Sequence, residues 1–398
     1  MISVIIVNYN VRYFVEQTVR SVLQSNCSDS VEIIIVDNAS ADESVDYLKR
    51  QLPSDIKIIA NQENLGFAKA NNLALEQAKG DFVLFLNPDT IIGDNVLDTM
   101  AAFLRKHPKA GAAGACMIGA NGEFAPESRR ALPSPFVSFC KMSGLQSLFP
   151  KSRIFGRYYM KFLDKEKQNR IDVISGACLF MRKDLALQLN GFDTTYFMYG
   201  EDIDLSYRIL KSGFQNWYLP VRILHYKGES TSKSSYRYVK TFYDAMIIFY
   251  RKHYKGYNHI LSAAIYMTIF AKGVMTFINN NILQSLHVLK KNTQKLGVVI
   301  VCTETESHVI SQILSFNPYF EYVKYIPTNY PELFVNGGIL TDIDTKKYNH
   351  IIFSTDLFSY SDILSTLYSG KSKALSLGTY NSNNGSPFIL LHNGTILE

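Results

Sequence analysis

The chain has 398 residues, 47% of them hydrophobic and 19% charged, with a formal net charge of +6. That length exceeds one ordinary domain, and that composition excludes wholesale disorder. A charge this mild suits an anionic small ligand or an anionic membrane surface, and it does not point to nucleic acid.

The opening, MISVIIVNYN, places a buried strand at Ile2–Val7, so no secretory leader is expected there. Further apolar runs follow at Val31–Val36, Ile56–Ala60 and Phe82–Leu86. Between them, Phe14, Thr18, Val19, Val22 and Leu23, and then Phe67, Ala70, Ala74, Leu75 and Ala78, recur at helical spacing. Continuous apolar strands joined by helices predict a parallel sheet covered on both faces. Ligands of such sheets bind at the carboxyl ends of the strands. That directs attention to Asn8-Tyr9-Asn10, Asp37-Asn38, Asn61–Asn64 and Asn87-Pro88-Asp89.

From Ala110 to Pro220 the alternation loosens. An Asn121-Gly122 turn suggests a hairpin, and Asp172–Met181 reads as a strand broken at Ser175-Gly176-Ala177. A short helix is expected over Gly200–Ser212, with strands around Trp217 and Leu224. Helices are then expected at Tyr236–Tyr254 and Ile260–Leu289. The second approaches the apolar length of a membrane span, but Lys272 and Gly273 interrupt it and basic residues flank it, so it is expected to lie on a membrane surface. From Gly297, GVVIVC, Glu306–Phe316, HIIFS, Asp362–Leu367 and ALSL predict a small βα unit. Its first strand is followed by Thr303-Glu304-Thr305 rather than by a glycine-rich phosphate loop. Three regions result: 1–235, a helical segment 236–296, and 297–398. Cys27, Cys116, Cys140, Cys178 and Cys302 are scattered without a C-x-x-C, which excludes a zinc ribbon or disulfide framework and suits a reducing compartment.

Several clusters carry candidate chemistry. Asp89, at the end of the most apolar strand, could ligate a divalent ion bridging a diphosphate, although Asn-Pro-Asp is also ordinary turn chemistry. Asp37 could accept from a base ring N–H or simply cap a helix. Gly66, opening the Asn64–Asn72 segment, permits close backbone approach at a helix N-terminus. Glu201, Asp202 and Asp204 form either an acidic first turn or a site for proton abstraction. His225 could be a neutral nitrogen ligand, and Arg129-Arg130 either a diphosphate clamp or a solvated pair.

In order and spacing, VIIVNYN, VDNAS, NLGFAKANN, LNPDT, SGACLFMRKDL, GFDTTYFMYGEDIDLSYRI and an H-x-x-G-x-S beginning at His225 together resemble the family 2 glycosyltransferases, closest to their rhamnosyltransferase-like branch, over roughly residues 1–255. The resemblance implies an α/β GT-A fold, followed here by helices and a small Rossmann-like α/β domain that faintly resembles one in polyprenyl-phosphate sugar transferases. It implies an inverting transfer of a sugar, rhamnose as the first guess, from a nucleotide diphosphate to a lipid-linked or cell-surface glycan. Asn8 and Tyr9 would then line the nucleotide and Asp37 would meet the base. Asn64, Gly66, Phe67 and Asn71 would hold ribose and diphosphate, with Asn87 beside them. Asp89 and His225 would bind Mn²⁺ or Mg²⁺. Asp202 would be the general base with Glu201 next to it, and Gly176 and Ala177 would floor the acceptor site. The family's metal motif usually has two acids; here the first position is Asn87, which throws more weight on His225. The expected setting is the cytoplasmic face of the cell membrane. The competing readings are a sugar nucleotidyltransferase, disfavoured by NYNVRYF where a triphosphate loop is needed, and a catalytically degenerate nucleotide-sugar binding or scaffold module.

Overall fold

The computed structural model describes residues 1–226, 236–254, 296–316, 320–328, 343–369, 375–382 and 387–398. The expected membrane-surface helix at 260–289, and the Gly228 and Ser230 positions of the His225 motif, lie outside them. Among the described residues, no helix is long and apolar enough to cross a membrane.

The first sheet has nine strands: β1 (Ile2–Asn8), β2 (Val31–Asp37), β3 (Lys57–Ala60), β4 (Phe82–Leu86), β5 (Thr90–Ile92), β6 (Ala110–Ile118), β7 (Asn169–Ile171), β8 (Cys178–Arg182) and β9 (Gln215–His225). Their order is β3-β2-β1-β4-β8-β6-β9-β5, with β7 pairing β9. The first four strands are mutually parallel, and β8 enters antiparallel between β4 and β6.

The apolar runs are continuous because alternate residues feed two cores. Ile2, Val4 and Ile6 of β1, with Phe82, Leu84 and Leu86 of β4, face one side. Ile5 and Val7, with Val83 and Phe85, face the other. Helices α1 (Arg12–Leu23), α2 (Ser44–Gln51) and α4 (Val96–Lys106) contribute Val15, Val19, Leu48, Leu97 and Met100 to the first core. Helices α3 (Phe67–Gln77), α7 (Lys183–Gln188) and α8 (Glu201–Lys211) contribute Ala70, Ala74, Leu185, Leu205 and Ile209 to the second. Between β6 and β8 lie α5 (Pro135–Met142) and α6 (Leu145–Leu148).

The expected strand over Asp172–Met181 starts only at Cys178, and the two strands around Trp217 and Leu224 are one, β9. Asn121-Gly122 does make a tight turn, with Gly122 in the left-handed region and an Ile118–Phe124 antiparallel bridge.

After α9 (Tyr236–His253), a six-stranded sheet is built from β10 (Leu296–Cys302), β11 (Phe320–Pro327), β12 (His350–Ser354), β13 (Ser376–Asn381), β14 (Phe388–Leu391) and β15 (Ile396–Leu397), in the order β11-β10-β12-β13-β14-β15. It shares a core with the first sheet: Tyr13, Phe14, Ile91 and Leu224 pack with Val301, Phe353, Tyr360 and Leu377. Buried polar contacts cross the same seam, including Gln17 Nε2 donating to Thr379 Oγ1 at 2.6 Å. In its crevice, Glu306 closes a capping box on Thr303 and accepts from Ser354 Oγ at 2.5 Å. A carboxylate thus occupies the switch point between β10 and β12, where a dinucleotide's phosphates would need donors.

Candidate active site

The ends of β1 and β2 meet in register, Asn8 opposite Asp37. Asn8 Nδ2 donates to Asp37 Oδ1 at 2.6 Å and to Ser40 Oγ at 3.1 Å, and Ser40 N–H donates to Asp37 Oδ2 at 3.0 Å. Both are buried, whereas Tyr9, next along the chain, is exposed. Asp37 therefore fixes the loop that presents Tyr9, and only its remaining lone pairs are left for a ligand.

The Asn64 loop differs from expectation. Gly66 is left-handed at φ +79°, and a Cβ there would come within 2.7 Å of both the ring and the carbonyl of Phe197. The first helical N–H, that of Phe67, donates to the Phe197 carbonyl at 3.0 Å. The close approach that Gly66 permits is thus made by this chain's own Phe197. Asn71 is buried and donates to the Phe67 carbonyl at 2.9 Å, while Asn64 Oδ1 accepts from Gly66 N–H and from Asn38. Phe197, itself exposed, was not singled out from sequence. Its signal was an aromatic residue in a loop just before the acidic motif.

At the end of β4 the chain turns through Asn87-Pro88-Asp89 into β5, which pairs antiparallel with β9 so that Thr90 faces His225. Thr18 of α1 holds the turn: its hydroxyl lies 2.6 Å from the Pro88 carbonyl and accepts from Thr90 N–H at 3.2 Å. His225 Nε2 is 3.2 Å from Asp89 Oδ1 and 3.2 Å from Asn87 Nδ2. No single tautomer satisfies both neighbours, since one offers a donor and the other an acceptor. The other ring nitrogen, Nδ1, is buried without a hydrogen-bond partner. Two ligand atoms of one octahedral Mg²⁺ or Mn²⁺ stand about 3 Å apart at bonds of roughly 2.1 Å, so the Asp89–His225 pair fits a divalent ion. No third His, Cys, Asp or Glu joins it among the described residues.

The Gly176-Ala177 dipeptide ties this turn to the acidic motif. The Ala177 carbonyl accepts from Asn87 N–H at 3.0 Å, and Gly176 N–H donates to Asp202 Oδ2 at 3.1 Å. A Cβ at Gly176 would press to 3.3 Å on Asp202 Cβ. Asp202 Oδ2 also takes Arg130 Nη2 at 2.5 Å, with both side chains mostly buried. Burial alone would lower the guanidinium's pKa, but the charge of Asp202 outweighs it and the pKa is raised. Arg130 is therefore neither a solvated residue nor a diphosphate clamp. Arg129 is likewise buried, between the rings of Phe124 and Tyr218, and donates to the Leu163 carbonyl at 2.6 Å.

Glu201, one residue earlier, is buried, and its Oε2 has no hydrogen-bond partner. Burial, then the neighbouring charge of Asp202, push its carboxyl up to about 8 from an ordinary 4.5. A carboxyl raised on folding binds its proton more tightly in the native state, so stability falls as pH rises from the unfolded to the folded pKa. Between pH 5 and 8 the wild type should lose stability through this group, and Glu201→Gln should not. The melting temperature of Glu201→Gln relative to wild type should therefore climb across that window. A difference that stays flat with pH would show that Glu201 is ionised when folded. Asp204, the third acid, does not face the crevice and is bound by Arg208, Lys252 and His253.

Residues 3–189 match the family model "Glycosyl transferase family 2". That stretch, which runs from β1 to α7, is similar to the family 2 glycosyltransferases over 187 of the 398 residues. The protein is a glycosyltransferase, and the matched stretch holds the parallel strands β1–β4 of the mixed sheet. Among curated proteins it is 26% identical over 239 residues to an N-acetylglucosaminyl-diphospho-decaprenol L-rhamnosyltransferase of Mycobacterium tuberculosis, covering 57% of this chain and 76% of that protein. It is 28% identical over 151 residues to the poly(ribitol-phosphate) beta-N-acetylglucosaminyltransferase TarS of Staphylococcus aureus, covering 37% of this chain and 26% of TarS. Among solved structures it resembles the mannosyltransferase PcManGT from Pyrobaculum calidifontis in complex with GDP-Man and Mn²⁺, at 16% identity and a TM-score of 0.43, over 80% of this chain and 81% of that one.

Proposed function

We propose that this glycosyltransferase moves a sugar, rhamnose as first candidate, from a nucleotide diphosphate to a hydroxyl of a growing, lipid-linked cell-surface glycan, with inversion. The observation that carries this is the Gly176-Ala177 link. It hangs a carboxylate, Asp202, from the N–H that opens this dipeptide and the Asn87–Asp89 turn from the carbonyl that ends it. Such an arrangement sets a proton acceptor and a diphosphate-handling pair around one crevice. In this reading Tyr9 lies against the base and Asn8, with Asp37, holds its loop. Phe197 and the loop Asn64–Phe67 form the neighbouring wall, with Asn71 supporting it from within α3. Asp89 and His225 would hold Mn²⁺ or Mg²⁺, which supplies Lewis-acid stabilisation of the leaving diphosphate. Asp202 takes the proton of the acceptor hydroxyl, and Gly176 and Ala177 floor the acceptor. The rhamnosyltransferase relative, named for a diphospho-decaprenol acceptor, supports the lipid-linked substrate.

Release of free sugar from a panel of nucleotide diphosphate sugars tests this without knowledge of the acceptor. One donor should be hydrolysed slowly with Mn²⁺ and not with chelator. Asp89→Ala should fall at least about tenfold even with Mn²⁺, because one of two charged or nitrogen ligands is gone. Binding of a nucleotide sugar with no turnover under any metal would favour a degenerate binding module. Full activity of Asp89→Ala in chelator would end the metal assignment.

A further inference from the structure

The segment between β6 and β8 exposes apolar side chains that the site does not use. Phe136 and Phe139 of α5, Leu148 of α6, and Phe149 and Ile154 just after it are each more than half exposed. Exposing one such side chain forgoes the gain from burying it, and single cases are ordinary. Here they form one patch: Phe155 lies 6.5 Å from Phe136 and 5.6 Å from Phe149, centroid to centroid. Helix α5 is two-sided, with Val137 and Cys140 buried beneath its exposed phenylalanines. Its Ser138 Oγ lies 2.8 Å from Tyr250 Oη of α9, so the patch is braced on the helix that packs against α8. Elsewhere among the described residues, the exposed large apolar side chains, such as Leu23, Leu187 and Phe316, come singly along the chain.

Charge identifies the occupant. From Ser128 to Leu163 the sequence holds no acidic residue. Lys151, Arg153, Arg157 and Lys161 of this stretch are all exposed. Exposed aromatic and aliphatic side chains interspersed in sequence with exposed cations match an anionic interface with an apolar interior. A two-fold contact with a second copy would set these same cations against each other. We infer that the α5–α6 face docks onto the surface of an anionic phospholipid bilayer, its phenylalanines entering the headgroup boundary. The inference rests on the proposed function only for where the acceptor lies. In sequence the docking segment is separate from the apolar 260–289 stretch.

The full-length protein should co-sediment with vesicles of phosphatidylglycerol and phosphatidylcholine in equal parts, and much less with pure phosphatidylcholine. Each cation near such a surface contributes about 1 kcal/mol, so the charge reversal Lys151→Glu/Arg153→Glu should weaken binding at least about tenfold. Phe136→Ser/Phe139→Ser should weaken it about as much. In Leu148→Trp, tryptophan emission should move to the blue on adding the anionic vesicles. Donor hydrolysis in solution should be unchanged in all three, which separates docking from transfer. Unaltered binding of both double variants would overturn the inference. So would sedimentation of Leu148→Trp with no emission shift, which would assign binding to another segment. Loss of self-association in Phe136→Ser/Phe139→Ser with vesicle binding intact would give the face to a second copy instead.

Discussion

Asp202→Asn should reduce glycosyl transfer by about 10²–10⁴-fold, the usual range for losing a general base, while leaving donor affinity nearly unchanged. An acceptor alcohol attacks poorly until its proton leaves, and one carboxylate within reach suffices to take it. In the proposed mechanism that carboxylate is Asp202, held on the Gly176 N–H beside the Ala177–Asn87 link. It also accepts from Arg130 Nη2 at 2.5 Å, which fixes its orientation. Glu201 is in the opposite condition, with its raised pKa and its sealed, unpartnered Oε2. Asparagine preserves the acceptor for Gly176 N–H but leaves Arg130 without its counter-charge. A melting curve must therefore accompany the kinetics, and calorimetric donor binding with Mn²⁺ present shows that the crevice is intact. If Asp202→Asn turns over near the wild-type rate while Glu201→Gln is inactive, the neighbouring carboxylate is the base.

The parts legible in the sequence were those whose signal is local. Strands β1, β2 and β4 declared themselves because both their faces are largely buried, so they run apolar apart from Ser3, Asn8, Glu32 and Asp37. Helix α8 declared itself through Gly200 and the acids after it. Strand β6 did not: AGAAGACMI is built of small residues because it is packed from both sides, with Gly111 close against Ile209, Leu185 and Phe214. Nor could spacing reveal that Phe197 would cover Gly66, or that Arg130 would find Asp202 across a gap of 72 residues. Such partners are chosen by tertiary packing. The same applies to the second sheet. Its alternation was visible, but the apolar side chains it shares with Tyr13, Phe14 and Leu224 follow a seam that sequence alone does not mark.

Asp204→Ala should cost about 3–5 kcal/mol of stability, the range found when one partner of a buried ion pair is removed. At about 2–4 °C per kcal/mol for domains of 150–250 residues, the melting temperature should fall by roughly 6–20 °C. The carboxylate is fully buried and takes Arg208 Nε at 2.6 Å, His253 Nε2 at 2.6 Å and Lys252 Nζ at 3.1 Å. Arg208 lies one turn further along α8, whereas Lys252 and His253 end α9, so a single side chain fastens the two helices together. Around it Ile203, Tyr196, Ala245 and Phe249 form a small apolar cluster between the same helices. Removing the carboxylate strands cationic groups in that cluster, and Arg208 and His253 have little solvent to turn to. Lys252→Ala should cost far less, because Lys252 is 39% exposed. Asp204→Asn should fall between, since an amide oxygen still accepts but carries no charge. Because α8 also carries Asp202, Asp204→Ala should lose activity on warming, well below the temperature at which the wild type does. If it instead melts like the wild type and yet fails to turn over at low temperature, Asp204 belongs to the chemistry rather than to the brace.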